Sequence, residues 1–163
     1  MTTVDSLPLS RRLVLKGAGA VALIGLGNLP LFPMPAIAAA NDKYPENAFK
    51  QKSDADAIKA LYGRTAEASD KVKLDAPEIA ENGSVVPVSV TTTLAGVTSI
   101  SFFVSENPNA LAASYAIPEG TLPNVANRLK MAKTCNVIAI VESEGKLFSA
   151  TKEVKVTVGG CGG

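Results

Sequence analysis

Histidine is absent from all 163 residues of the sequence, and so is tryptophan. Without imidazole the chain cannot form a Ser-His-Asp triad, a Cys-His dyad, a c-type haem attachment motif, or the blue-copper and catalytic zinc sites that depend on histidine. Only two cysteines are present, so at most one disulfide can form and the C-x-x-C pair of a thiol redox enzyme is missing. The composition disfavours most enzyme classes, and we expect no metal site and no organic cofactor.

Charge is also nearly balanced, with a formal net charge of +1 over the whole chain. Residues 1–40 carry Arg11, Arg12, Lys16 and Asp5, which leaves a net charge of −1 for the rest. A near-neutral protein lacks the basic surface that attracts a phosphate backbone. We therefore expect no nucleic-acid partner.

The first forty residues have the layout of an export signal. A pair of arginines, Arg11-Arg12, precedes an apolar stretch at 17–29, and the small side chains that follow suit a peptidase that reads an A-x-A pattern. An uncleaved membrane anchor is the alternative, but glycines and prolines shorten the apolar run below the ~20 residues of a span. We predict a twin-arginine signal at 1–40, cleavage after Ala38 or Ala40, a periplasmic protein, and no membrane attachment after cleavage.

The remaining chain has the length of one small domain, which we place at 41–158. It opens with a predicted helix, because Ser53 suits an N-cap with Asp56 three residues later and Gly63 suits a C-terminal stop. Three apolar residues between them share one face: Ile58, Leu61 and Tyr62. We expect this face to pack on a sheet.

After the helix the pattern changes to the period of two that is typical of strands. Apolar residues alternate over 86–90, after an Asn82-Gly83 turn, and again over 100–104. Two further breaks separate short segments: Asn107-Pro108-Asn109 and Pro118-Glu119-Gly120. Short strands without crossover helices predict an immunoglobulin-like antiparallel β-sandwich, although a small barrel would give much the same pattern.

The last third of the domain predicts a hairpin followed by an edge strand. An apolar run at 137–141 is joined through Ser143-Glu144-Gly145 to Leu147-Phe148, and apolar residues alternate again over 154–158. Cys135 opens the apolar run, and a cysteine in that setting is usually a small buried hydrophobic residue.

The chain closes on one cysteine among four glycines, Gly159-Gly160-Cys161-Gly162-Gly163. Glycine loses the most backbone entropy on ordering, so residues 159–163 are predicted to form a flexible arm. Measured from Val158, the arm can place Cys161 at most ~10 Å away. Because it lacks side chains, it could enter a narrow channel of another protein.

Cys161 has a nucleophilic sulfur and reach but no catalytic group beside it, so a partner must supply activation. This combination suits a covalent carrier, which presents a tethered intermediate to each enzyme at high effective concentration. A tail without function is disfavoured, since an exposed thiol in an oxidising compartment invites damage. One alternative is an interaction module that forms an intermolecular disulfide through Cys161, and a Cys135–Cys161 disulfide in an idle form stays open.

At these residues the sequence resembles a known family, the sulfur-carrying SoxY subunit of the thiosulfate-oxidising Sox complex. The resemblance covers nearly the whole chain, and the glycine-flanked terminal cysteine is its most specific mark. Besides the arginine pair, the similar segments are 60–63, 74–83, 107–114, 130–133 and 152–163.

The resemblance implies that Cys161 is the site of covalent sulfur attachment and that Gly159, Gly160, Gly162 and Gly163 form the carrier arm. It implies a heterodimer with a SoxZ-like subunit. It also implies three partner enzymes: a haem-containing enzyme that conjugates thiosulfate to the cysteine, a hydrolase that releases sulfate, and a sulfane dehydrogenase. The carrier itself is expected not to be an enzyme. The family pattern assigns no chemical role to Cys135.

Overall fold

The arrangement of the strands is given by a computed structural model, which describes residues 44–158. The predicted signal at 1–40 lies outside these residues. Helix α1 (Glu46–Phe49) and helix α2 (Asp54–Tyr62) are followed by strands β1 (Glu67–Ala68), β2 (Val72–Asp75), β3 (Ile79–Ala80), β4 (Val86–Thr92), β5 (Val97–Val104), β6 (Leu111–Ala116), β7 (Asn124–Leu129), β8 (Cys135–Ser143) and β9 (Lys146–Val156). No helix within 44–158 is long and apolar enough to cross a membrane.

The strands form two sheets, which confirms the predicted immunoglobulin-like β-sandwich. The larger sheet has the order β1-β9-β8-β5-β6, with β3 pairing further along β9, and the smaller sheet has the order β2-β4-β7. Most pairings are antiparallel, but the two-residue strands β1 and β3 run parallel to β9. The short helical segment precedes both sheets, as the sequence predicted.

The main hydrophobic core lies between the two sheets. The alternating residues of β4 and β5 point into it from opposite sides, and they are fully or almost fully buried: Val86, Val88, Val90, Ile100, Phe102 and Val104. Phe102 is completely buried and packs edge to face against Tyr115. Aromatic and branched side chains of this kind supply most of the burial energy in a small domain.

The opposite face of the larger sheet is covered by the helices, as predicted. Phe103 and Ile140 contribute to a second buried cluster with Ala57 of α2, and the three apolar helix residues pack at its margin. The predicted ends of the helix are also confirmed. The Ser53 hydroxyl accepts from the Asp56 amide at 3.5 Å, and Gly63 ends the helix with a left-handed φ of 70°.

The prediction for the C-terminal third was partly wrong. The hairpin is present, with Glu144 and Gly145 both at positive φ in its turn, but its second strand continues to Val156 without a break. The polar run 149–153 looks like an interruption in sequence, yet its backbone pairs with β8 throughout. β9 is not an edge strand over its whole length either, since β1 and β3 pair with its outer side.

Candidate functional site

The cysteine and glycines of the predicted arm, residues 159–163, lie outside the described residues. What the structure shows is the point from which the arm departs, residues 155–158, which we call the arm root. The last register pair of the β8–β9 ladder is Cys135 with Val154. The arm root therefore extends beyond the antiparallel hairpin and needs other partners for its backbone.

One side of the arm root is held by the segment 78–83. β3 pairs with it in parallel, with Ile79 beside Lys155 and Ala80 beside Val156. The Lys155 amide donates to the Glu78 carbonyl at 2.9 Å, and the Thr157 amide donates to the Ala80 carbonyl at 3.1 Å. These bonds continue the sheet by two residues after the hairpin ladder has ended.

The same side is closed by two contacts that are not part of a ladder. The Thr157 hydroxyl donates to the Glu81 carbonyl at 2.9 Å, and the Gly83 amide donates to the Val158 carbonyl at 2.7 Å. The Gly83 carbonyl in turn accepts from the amide of the fully buried Met131 at 2.7 Å. Gly83 thus connects the last described residue of the chain to the main core.

The other side of the arm root is held by a threonine side chain. The Thr134 hydroxyl accepts from the Val156 amide at 2.9 Å and lies 3.4 Å from the Val156 carbonyl, to which it can donate. Thr134 immediately precedes β8, so its side chain takes the place of the next rung of the ladder. A hydroxyl can do this because it both donates and accepts.

The arm root and the segments next to it include three exposed apolar side chains. Ile79, Val85 and Val158 are 60%, 52% and 64% exposed, although valine and isoleucine are among the residues most often buried. All three belong to the arm root or to the segments that flank it. The surface around the arm root therefore combines these apolar side chains with the exposed charged residues Glu78, Glu81 and Lys155.

Cys135 has surroundings of the opposite kind. It is 7% exposed, belongs to the main core and forms no disulfide, which confirms the prediction of a buried hydrophobic residue. Burial raises the pKa of its thiol, so the unreactive protonated form is favoured. Lys133, two residues before Cys135, forms an ion pair of 2.8 Å with Glu106. The hydrogen bond to Glu106 raises the pKa of Lys133.

Among residues 44–158 no group of three or more histidine, cysteine, aspartate or glutamate side chains is placed to hold a metal ion. The sequence reasoning did not find Thr134 and Thr157, whose hydroxyls bind backbone groups of distant segments. It did find the Asn82-Gly83 turn, which the structure confirms through a bond of 2.8 Å from the Ser84 amide to the Asn82 side chain. The role of Gly83 at the arm root was not visible in that turn signal.

Comparison with known proteins shows the family to which the chain is similar. The family model for the sulfur oxidation protein SoxY matches residues 58–161, a range that includes Cys161. The solved structure of the sulfur carrier protein SoxY from Chlorobium limicola f thiosulfatophilum is 43% identical; the match covers 64% of this chain and 96% of that one, with a TM-score of 0.57.

Other matches add little. A lytic polysaccharide monooxygenase from Jonesia denitrificans is 16% identical, and the match covers 50% of this chain and 58% of that one, with a TM-score of 0.38. That likeness is too weak to carry an argument. No curated protein sequence matches the chain significantly. On the family match, which spans more than half of its residues, this chain belongs to the SoxY family of sulfur oxidation proteins.

Proposed function

We propose that the protein is a covalent sulfur carrier of periplasmic thiosulfate oxidation and that Cys161 bears the intermediates. The observation that carries this proposal is the family match, which extends to Cys161. The buried state of the other cysteine supports it, because Cys135 has too little accessible surface to receive a substrate. The carrier provides a nucleophile and a tether, and its partner enzymes provide catalysis.

The chemistry on Cys161 is a sequence of oxidations and hydrolyses on the attached sulfur. Oxidative conjugation joins the cysteine sulfur to the outer sulfur of thiosulfate, forms an S–S bond, and releases one proton and two electrons, which the haem-containing partner takes up. Hydrolysis of the resulting cysteine S-thiosulfonate then adds water to the sulfonate sulfur, releases sulfate and a proton, and leaves a persulfide on Cys161. The sulfane dehydrogenase then oxidises the outer sulfur of the persulfide with three water molecules, which gives a cysteine S-sulfonate and releases seven protons and six electrons that this enzyme takes up. A second hydrolysis adds water to the sulfonate sulfur, releases sulfate and a proton, and restores the Cys161 thiol.

The division of the chain follows the same proposal. Residues 1–40 are a twin-arginine signal that is removed on export to the periplasm, and residues 41–158 are the sandwich. Residues 159–163 are a flexible arm that carries the thiol into the channel of each enzyme. The root geometry supports the extent of the sandwich, because residues 155–158 are all hydrogen-bonded to neighbouring segments.

The partners follow from the family as well. We propose a heterodimer with a SoxZ-like subunit, and successive docking of the conjugating enzyme, the sulfate-releasing hydrolase and the sulfane dehydrogenase. Since Cys161 can lie at most ~10 Å from Val158, each enzyme must approach the region around the arm root, where Ile79 and Val158 are exposed. Short reach of this kind gives the tethered group a high effective concentration in a docked channel.

The proposal is tested by thiosulfate oxidation in a system reconstituted from the carrier and its partner proteins. Cys161→Ser should abolish turnover, whereas the matched variant Cys135→Ala should keep it, because only the terminal thiol carries the substrate. Equal loss in both variants, or retained turnover in Cys161→Ser, would reject the carrier role. A Cys161→Ser protein that stays active but no longer forms covalent dimers would indicate the interaction module instead.

The arm mechanism has its own test in the same assay. Gly160→Val adds bulk and stiffness to the proposed arm without touching the described domain, so we expect an unchanged thermal midpoint and strongly reduced turnover. Unchanged thiosulfate oxidation by this variant would count against entry of the arm into a narrow channel.

A further inference from the structure

The arm root is bonded far more fully than a tether requires. Each residue from Lys155 to Val158 makes at least one hydrogen bond to a neighbouring segment. These bonds engage segment 78–83 on one side and Thr134 on the other. If the arm needed only to be attached to the domain, its flexible part could begin at Val154, where the β8–β9 ladder ends.

The position at which the arm is released changes its reach. Three residues separate Val158 from Cys161, so a pivot at Val158 limits the cysteine to ~10 Å. Seven residues separate Val154 from Cys161, and a pivot there would allow ~24 Å. The accessible volume grows as the cube of the reach, so releasing the root would dilute the thiol about tenfold or more around the domain.

We propose that segment 78–83 and Thr134 form a clamp that holds residues 155–158 to the sandwich, so that the carrier arm is not released before its pivot at Val158, with Thr157 as the principal positioning residue. Thr157 is the one residue of the arm root that is held by both its backbone amide and its side chain. Its hydroxyl bond to the Glu81 carbonyl lies directly before the final contact between Gly83 and Val158. This inference rests on the proposed carrier function, since a pivot matters only if the arm delivers a substrate.

The clamp is anchored to the body of the domain rather than to another loop. Gly83 donates to Val158 and accepts from Met131, whose side chain is completely buried. Thr134 adjoins Cys135, which belongs to the same core. Movement of the pivot would therefore need either loss of root hydrogen bonds or displacement of core residues.

The main test is the substitution Thr157→Val, which keeps the shape of the side chain and removes its hydroxyl. The control is Thr151→Val, the same change at an exposed position of β9 before the arm root, and the rescue is Thr157→Ser, which restores a hydroxyl. Each protein is labelled with a nitroxide at Cys161, with attachment at that residue confirmed by peptide mass. The electron paramagnetic resonance spectrum then reports how freely the label moves.

We expect narrower resonance lines, and hence a more mobile label, in Thr157→Val, with wild-type spectra for Thr157→Ser and Thr151→Val. Unlabelled carriers are then compared as substrates of the haem-containing conjugating enzyme. Loss of one hydrogen bond should raise the KM for the carrier about two- to tenfold, because a released arm loses more freedom on entering the channel. kcat should stay unchanged, since the bound geometry and the chemistry are the same.

The outcomes separate the clamp from the carrier function. If Thr157→Val matches the wild-type in both line shape and KM while Cys161→Ser is inactive, the clamp is rejected and the carrier function stands. If the wild-type protein takes up no thiosulfate, the carrier function fails whatever the spectra show. A fall in kcat with unchanged KM would also overturn the clamp, because it would place Thr157 in the chemistry.

Discussion

The main core and the arm root adjoin where Val154, a core residue, is followed by Lys155, yet they are held by different kinds of contact. In the core the contacts are between side chains, and residues such as Phe102 and Val154 are completely buried. At the arm root the backbone makes the contacts, while the Val158 side chain is 64% exposed. The difference teaches that neighbouring residues of a small domain can be held either by side-chain burial or by backbone bonds, since Cys135 pairs with Val154, only four residues before Val158.

The consequence for energetics is a separation of stability from function. Changes in the core should lower the free energy of unfolding and leave the chemistry per folded molecule intact. Changes at the arm root should alter the function of each folded molecule and leave the free energy of unfolding almost unchanged. A few hydrogen bonds near the end of the domain contribute little to global stability.

Phe102→Ala tests the core side of the comparison with the largest expected effect. Phe102 is completely buried between the sheets, so its truncation should lower the free energy of unfolding by about 3–5 kcal/mol. Leu122→Ala is the matched control, since Leu122 is 83% exposed and should change stability by less than about 0.5 kcal/mol. Urea unfolding measures the stability of both variants. Equal midpoints for Phe102→Ala and Leu122→Ala would refute the assignment of Phe102 to the core.

Cys135→Ser tests whether this thiol acts as a hydrophobic group. Placing a hydroxyl in the core should cost about 1–3 kcal/mol, and Cys135→Ala should be tolerated better than Cys135→Ser. Because folding raises the pKa of Cys135, the unfolded chain releases the thiol proton at a lower pH than the native protein. Stability should fall as the pH rises above about 9, and both variants should lack that part of the decline.

Thiol labelling tests directly whether Cys135 and Cys161 differ in accessibility. In the native protein at pH 8, an alkylating reagent should modify Cys161 and leave Cys135 unmodified until denaturant is added. Rapid native modification of Cys135, located by peptide mass, would contradict its burial.

Tyr62→Phe gives the smallest expected effect and tests the hydroxyl contacts between helix α2 and strand β5. The Tyr62 hydroxyl lies 2.7 Å from the Ser101 hydroxyl and 3.2 Å from that of Ser99, so its removal should cost about 1 kcal/mol at neutral pH. Burial raises the pKa of Tyr62. The native protein therefore keeps this proton at a pH where the unfolded chain has lost it, and stability should fall above about pH 10.

Tyr115→Phe is the matched control, because the Tyr115 hydroxyl accepts from the Asn127 amide at an exposed position. We expect a smaller loss there. The alkaline decline measured by pH-dependent urea unfolding should be reduced in Tyr62→Phe. An unchanged decline would mean that Tyr62 ionises equally in both states.

Much of the fold was predictable because its signals are local. The Ser53 cap and the Gly63 stop are read from single residues, and the alternation at 86–90 follows the pleat of a half-buried strand. The parallel strands Glu67–Ala68 and Ile79–Ala80 were not predictable, because two residues show no period. The continuity of β9 through 149–153 was missed because its mostly polar side chains conceal a backbone that pairs with β8 throughout.

The candidate site was also only partly predictable from the sequence. Cys161 and its glycines were evident from composition, since so many glycines around one cysteine have no use in a packed element. The contacts of the arm root were hidden, because the bond between Thr157 and Glu81 joins residues 76 positions apart and uses a backbone acceptor. A bond to a distant backbone carbonyl leaves no pattern in the side chains of the segment that accepts it.

The central claim, that Cys161 carries thiosulfate-derived sulfur, is tested most directly by intact and peptide mass spectrometry. The protein is purified without reductant and measured before and after incubation with thiosulfate and the conjugating partner. We predict a sulfur-containing adduct on Cys161 that reductant removes, that Cys135→Ala retains and that Cys161→Ser lacks. Only a free thiol or a plain disulfide at Cys161 in every condition would contradict the account.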